Sequence, residues 1–281
     1  MRVFPTRSGS RLPSALRGAL GVLPGATAVG LLLVCAAGID PAVPAGDGTS
    51  LRATAPGRRS VMPAAARPAR PVPSSYAAFR AAPPRILPRT AWLAPGTATP
   101  PPARYADRVE AVFVHHTDSP NGYDCDDAPR IIRSLYTGQE ADRDWDDIGY
   151  NFLVDRCGTL YEGRAGGTDK PVVGAHAQGF NRGSTGVAAI GTFTAGTPVP
   201  EAMSDAIAAL AAWKLGLSGV DPRGSALLVS TNSRSRFAAG TGAVFHTVAA
   251  HKDGYATSCP GASLTAEMPA IREAAARLQG R

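Results

Sequence analysis

Two distant segments of the chain carry residues that could bind a catalytic metal ion. The segment VFVHHTDSP contains the adjacent histidines His115 and His116, and the segment AAHKDGYATSCPG contains His251 and Cys259. Two imidazoles and one thiolate form a suitable ligand set for zinc, and three protein ligands leave a fourth coordination position open for water or substrate. The first hypothesis is therefore a metal-dependent hydrolase.

The spacing of these residues indicates how they could meet. Gly254, Pro260 and Gly261 permit a tight loop that carries Cys259 back towards His251. Adjacent residues of a strand point to opposite faces of a sheet, so only one of the two neighbouring histidines is expected to bind the metal. Histidines are also common as structural residues bonded to the backbone, and this alternative stays open from the residues alone.

Short apolar runs predict the strands that position these residues. The run at 111–116 is rich in β-branched residues and predicts a buried strand that ends in the histidine pair. Two runs flanking an Arg-Cys-Gly turn predict a hairpin over 149–164. The segments 172–176 and 186–193 are further strand candidates.

Helical spacing of apolar residues predicts three helices. The first begins near residue 128, after two acidic residues, and is expected to end at Gly138. The others cover 200–215 and 264–278, the last with Leu278 on its apolar stripe. The segment 218–244 is rich in Gly and Ser and predicts a loop. Strands interleaved with helices predict a single α/β domain with a central mixed β-sheet flanked by helices.

The N-terminal third of the chain differs from the rest. A basic start, an apolar stretch and small residues predict a signal peptide over 1–45, with an uncleaved membrane anchor or a lipid anchor on Cys35 as alternatives. A tract rich in Pro, Ala and Arg predicts a disordered linker over 46–83. The folded domain is expected over 84–281, in a secreted protein that is associated with the cell wall and is not inserted in the membrane after cleavage.

The positive charge of the chain lies almost entirely in its leader and linker. Residues 1–83 contain ten Arg and two acidic residues, whereas residues 84–281 contain nineteen basic and twenty acidic residues. The folded part is close to neutral, so nothing favours nucleic-acid binding. A group of acids before the hairpin favours a solvated loop over a calcium site: Asp142, Asp144, Asp146 and Asp147.

Cysteine usage predicts one disulfide. Cys35 leaves with the signal peptide and Cys259 is a candidate metal ligand, so Cys125 and Cys157 are free to pair. Export to an oxidising compartment favours that bond. Two separate buried thiols are the alternative.

Five segments, in this order, resemble the peptidoglycan recognition protein family, also called type 2 N-acetylmuramoyl-L-alanine amidases. They are ILPRTAWLAP, VFVHHTDSP, DIGYNFLVDRCGTLYEGRAGG, VGAHAQGFNRGSTGVAAIG and AHKDGYATSCPG. The resemblance covers roughly residues 84–280. The paired cysteines and the long stretch before His251 are similar to the secreted actinobacterial branch.

The resemblance implies a Zn²⁺ site in a surface groove and a reaction. It makes His115, rather than His116, the first ligand, with His251 and Cys259 as the other two. Zinc lowers the pKa of water from 15.7 to about 7, which would allow hydroxide to attack the amide bond between N-acetylmuramic acid and L-alanine. Some family members that lack the cysteine only bind peptidoglycan, so a non-catalytic binding module is the alternative. A peptidase that cuts within the stem peptide is a third possibility.

The resemblance also implies roles for four further residues. Tyr150 lies beside the metal in the family, and Thr257 points at the reacting carbonyl group. His176 and Asn181 occupy positions that line the substrate groove. The expected partner is peptidoglycan or a muropeptide, bound by a monomer. Two segments depart slightly from the usual family motifs, AWLAP at 91–95 and HKD at 251–253. Neither departure replaces a candidate metal ligand.

Overall fold

The computed structural model describes residues 79–143 and 145–281, without the side chains of residues 140–144. The predicted signal peptide and residues 46–78 of the predicted linker lie outside the described residues. Phe79, which the sequence assigns to the linker, packs against the domain, with the Arg281 guanidinium 4.1 Å from its ring centroid. No helix within the described ranges is long and apolar enough to cross a membrane.

Within residues 79–281, as far as the structure describes them, eight strands form two sheets. The strands are β1 (Ile86–Leu87), β2 (Ala111–His116), β3 (Phe152–Val154), β4 (Leu160–Glu162), β5 (Ser184–Ala189), β6 (Ser225–Val229), β7 (Gly242–His246) and β8 (Val248–Ala250). Six of them form the central sheet in the order β1-β4-β3-β5-β2-β8, and β6 and β7 form a separate pair. Among the described strands of the central sheet, β3 and β4 pair antiparallel and the other neighbours pair parallel. The predicted mixed sheet is therefore confirmed.

The described part of the chain also contains four α-helices. They are α1 (Ala128–Arg143), α2 (Glu201–Gly216), α3 (His251–Gly254) and α4 (Ala262–Leu278). Val112 and Val114 pack into a core with α2 and α4, whereas Ala111 and Phe113 pack into a core with β6 and β7. Since side chains alternate along a strand, His115 points to the same face of β2 as Phe113. The first candidate ligand therefore lies on the face opposite to α2 and α4.

Cys125 and Cys157 form the predicted disulfide. Their Cα atoms are 6.2 Å apart, and the bond joins a short 3₁₀ turn, Cys125–Asp127, to the turn between β3 and β4. It ties the start of α1 to the hairpin that follows it.

The C-terminal ends of α1 and α4 differ from the prediction. α1 continues past Gly138 to Arg143. The Gln139 side chain accepts a hydrogen bond from the Gly149 N–H at 2.9 Å, and this tertiary contact offsets the cost of about 1 kcal/mol that glycine brings to a helix interior. At the end of α4, Leu278 is 52% exposed and lies outside the core.

Two segments differ from the predicted strand pattern. Residues 172–176 form only an isolated bridge from Val172 to Tyr105, because their backbone groups bond to loops, as in the bond from Ala175 N–H to the Gly149 carbonyl. The predicted loop 218–244 contains β6 and most of β7. Their alternating burial escapes sequence analysis because the Gly/Ser-rich stretch between them dilutes the signal.

Candidate metal centre

The fold brings the three candidate ligands together. β2 and β8 are parallel neighbours, with Val114 opposite Ala250, so their carboxyl ends lie side by side. His115 lies near the end of β2, His251 follows β8 directly as the first residue of α3, and Cys259 lies in the loop before α4. One ligand atom from each of these three residues lies within 4.8 Å of the other two.

The donor set fits zinc in both chemistry and spacing. The Nδ1 atom of His115 lies 3.8 Å from the Sγ atom of Cys259. Tetrahedral Zn–N and Zn–S bonds would separate such atoms by about 3.6 Å. Nitrogen and sulfur donors suit zinc, and three ligands leave one coordination position open, as catalytic zinc sites require.

Burial keeps the imidazoles of the site neutral. It lowers the pKa of His115 well below its ordinary value, and the neighbouring His251, His176 and His116 lower it further. Burial lowers the pKa of His251 to about 4. It raises the pKa of the Cys259 thiol to about 12 in the metal-free protein. Metal binding must therefore displace the thiol proton, whereas the two histidines need lose none at neutral pH.

His116 supports the site through its backbone. Its N–H donates to the Cys259 sulfur at 3.3 Å, while its side chain lies on the other face of β2. The group of close ligand atoms includes His115 and not His116. The backbone bond fixes the thiol and favours its ionised form.

The two residues predicted to take part in catalysis both lie near the ligands. The Tyr150 ring is centred 5.3 Å from the His115 ring, and Tyr150 is partly buried just before β3. The Thr257 hydroxyl oxygen accepts a hydrogen bond from the Cys259 N–H at 3.2 Å. Because a hydroxyl can donate as well as accept, Thr257 retains an O–H for another partner.

The two residues predicted to line the groove are hydrogen-bonded to each other, and their contact with substrate stays a prediction. His176 is buried, and its Nδ1 atom lies 3.1 Å from the Nε2 atom of His115. The Asn181 side-chain oxygen accepts hydrogen bonds from the N–H groups of His176 and Ala177. In this structure, Asn181 shapes the loop that carries His176.

Sequence analysis missed several residues that shape the site. Asn151 is buried and joins two elements, accepting from the Gly186 N–H and donating to the Val172 carbonyl, both at 2.9 Å. The Tyr255 ring stacks on His251 at an interplanar angle of 10°. Both residues lie within segments that resemble the family. The resemblance could therefore have pointed to them, but the sequence analysis assigned a role to neither.

Asp147 is a buried anchor, which corrects its assignment to a solvated loop. It pairs with Arg89 at 2.9 Å and accepts hydrogen bonds from the N–H groups of Ile148 and Ala165. The paired guanidinium also donates to the Gly163 carbonyl. These bonds hold the segment that leads into Tyr150.

A family profile described as N-acetylmuramoyl-L-alanine amidase matches residues 105–262, more than half of the chain, and this match includes all three candidate ligands. The chain belongs to this amidase family. The predicted family is thus confirmed, while its actinobacterial branch stays a prediction.

Curated relatives include both recognition proteins and amidases. Peptidoglycan-recognition protein LE of Drosophila melanogaster is 37% identical over 120 residues, which are 42% of this chain and 33% of that protein. The N-acetylmuramoyl-L-alanine amidase of Mus musculus is 36% identical over 124 residues, 43% of this chain and 22% of that protein. This chain therefore matches a third or less of these two relatives.

Solved structures share the fold. Drosophila PGRP-LB aligns with a TM-score of 0.51 at 26% identity, over 66% of this chain and 92% of that one. A mutant of PGRP-LB in complex with tracheal cytotoxin aligns with the same TM-score and coverage. The similarity to these two structures covers about two thirds of this chain.

Proposed function

We propose that this family member is a zinc-dependent N-acetylmuramoyl-L-alanine amidase, which hydrolyses the amide bond between N-acetylmuramic acid and L-alanine in peptidoglycan. The observation that carries the proposal is the meeting of His115, His251 and Cys259 within 4.8 Å. Zinc bound there supplies Lewis-acid chemistry, since it lowers the pKa of a water molecule and polarises a carbonyl group. His115, His251 and Cys259 would hold the ion.

Thr257 and Tyr150 supply the remaining polar groups for the reaction. The Thr257 hydroxyl donates to the carbonyl oxygen of the substrate as negative charge develops on it, and loss of one such donor often costs about 3 kcal/mol. The Tyr150 hydroxyl either orients the attacking water or transfers a proton to the leaving amine. His176 and Asn181 support the wall of the groove beside these groups.

A non-catalytic peptidoglycan-binding module is the second candidate function. The names of relatives favour it, because several are recognition proteins and the PGRP-LB complex contains tracheal cytotoxin. The presence of Cys259 favours catalysis, since the ligand set is complete. In either case the partner is peptidoglycan or a muropeptide.

We further propose that the protein is exported and acts at the cell wall as a monomer. The Cys125–Cys157 disulfide supports export, because such bonds persist in oxidising compartments. The proposed organisation is a signal peptide over 1–45, a linker over 46–83 and the amidase domain over 84–281.

The test is digestion of purified peptidoglycan with and without a chelator, read by mass spectrometry. The proposal expects products with a new alanine amino terminus, lost with the chelator and in Cys259→Ala. The exposed His246 at the end of β7 provides a control, since His246→Ala should retain full activity. Bound zinc without cleavage, with wall binding retained in Cys259→Ala, would support the binding module. Cleavage inside the stem peptide would indicate a peptidase.

A further inference from the structure

The His176 ring is held in one position. It is 6% exposed and lies in a slot between Gly174 and Gly186, where a Cβ atom on either glycine would overlap the ring. The Phe113 ring borders it at a centroid distance of 6.3 Å. A ring so closely packed has little freedom to turn unless the backbone around it moves.

The side chain of His176 directs its polar contact to a candidate ligand. Its Nδ1 atom lies 3.1 Å from Nε2 of His115, with the two rings nearly perpendicular at 80°. Its Nε2 atom is buried and has no partner among the described residues. The backbone N–H of His176 is fixed separately by Asn181. The chief polar contact of this side chain is therefore the bond to His115.

A bond between two neutral imidazoles can form in two ways, because each ring has one N–H donor and one bare acceptor nitrogen. In the first, His115 carries its proton on Nε2 and donates it to His176. Its Nδ1 atom, 3.8 Å from the Cys259 sulfur, is then bare and able to bind a metal. In the second, His176 donates, and the proton of His115 occupies Nδ1 and blocks the site.

We propose that His176 is a positioning residue that selects the metal-binding tautomer of His115 by accepting its Nε2–H bond. Ligating histidines usually donate their second N–H to a carboxylate, a carbonyl oxygen or water, and here an imidazole nitrogen takes that part. This inference rests on the zinc site of the proposed function. It changes the role of His176 from contacting substrate to preparing the ligand.

The test measures the affinity of the full chain for Zn²⁺ by competition with a chromophoric chelator, which requires no substrate. His176→Leu removes the acceptor and should weaken zinc binding about 10- to 100-fold. His176→Asn places an amide oxygen close to the position of Nδ1 and should remain within a few-fold of the wild type. His246→Ala serves as the unaffected control, and thermal melting of each metal-free variant reports folding.

A spectroscopic measurement completes the test on the unaltered chain. In the zinc-loaded protein, ¹⁵N NMR of the histidine rings should find the protons of both His115 and His176 on Nε2. A proton on Nδ1 of His176, an unchanged zinc affinity in His176→Leu, or equal losses in the Leu and Asn variants would overturn the inference alone. A wild-type chain that binds no zinc would refute the proposed function as well.

Discussion

Lys214 gives a prediction that follows directly from its surroundings. This residue of α2 is 1% exposed, and its ammonium group donates to the carbonyl oxygens of Thr168 at 2.8 Å and Lys170 at 3.0 Å. Burial lowers the pKa of Lys214 from 10.5 to about 8, although the charge of Asp169 opposes this shift. The folded protein therefore bears the cost of a buried charge at neutral pH.

The sign of the resulting pH dependence is fixed by linkage. Between about pH 8 and 10.5 the unfolded chain keeps the proton of Lys214 while the folded chain releases it, so stability rises with pH. Each pH unit in this window raises the free energy of unfolding by about 1.4 kcal/mol. Raising the pH from 7.5 to 9.5 should thus stabilise the wild type by roughly 2 kcal/mol relative to Lys214→Met, which has no such proton.

Denaturant unfolding of both proteins at the two pH values measures this difference. Other groups that titrate in this range contribute to both proteins and cancel in the comparison. Lys170→Met is the matched control, because this lysine is exposed on the segment that Lys214 anchors. Its free energy of unfolding should change with pH as that of the wild type does. A difference between the wild type and Lys214→Met that stays constant with pH would refute the reasoning.

Three further predictions concern the disulfide, a buried ion pair and the site. Replacing Cys125 and Cys157 together by Ala frees a loop closed across 32 positions and should lower the free energy of unfolding by about 3–4 kcal/mol; equal stability in denaturant would contradict this. Asp147→Ala leaves the Arg89 charge without its carboxylate and should cost about 3–5 kcal/mol by the same assay, and a loss below about 1 kcal/mol would argue against it. Tyr150→Phe should reduce turnover of purified peptidoglycan about 100-fold or more with zinc content and melting temperature preserved, whereas near-normal turnover would remove this hydroxyl from the mechanism.

The sequence predicted those elements whose burial is uniform along the chain. β2 and β5 are buried on both faces, so each appears as a short apolar run, and the stripe of α2 was visible at helical spacing. β6 and β7 were missed because only alternate residues are buried and the polar loop between them masks the pattern. The end of α1 was missed because a contact from Gln139 to a distant glycine overrides the local signal at Gly138.

The identities of the candidate ligands were predictable from the family motifs, but the state in which they could bind a metal was not. A metal ligand must present a bare nitrogen, and the Nδ1 atom of a neutral His115 is bare only when its proton sits on Nε2. That proton is stabilised by an acceptor opposite Nε2, which the fold supplies from a residue 61 positions away. His176 in its motif is compatible with a contact to substrate or to a ligand, and the buried 3.1 Å contact with His115 is the observation behind the proposal of the second role. A list of ligands read from a sequence is therefore incomplete without the residue that accepts the N–H proton of each ligating imidazole.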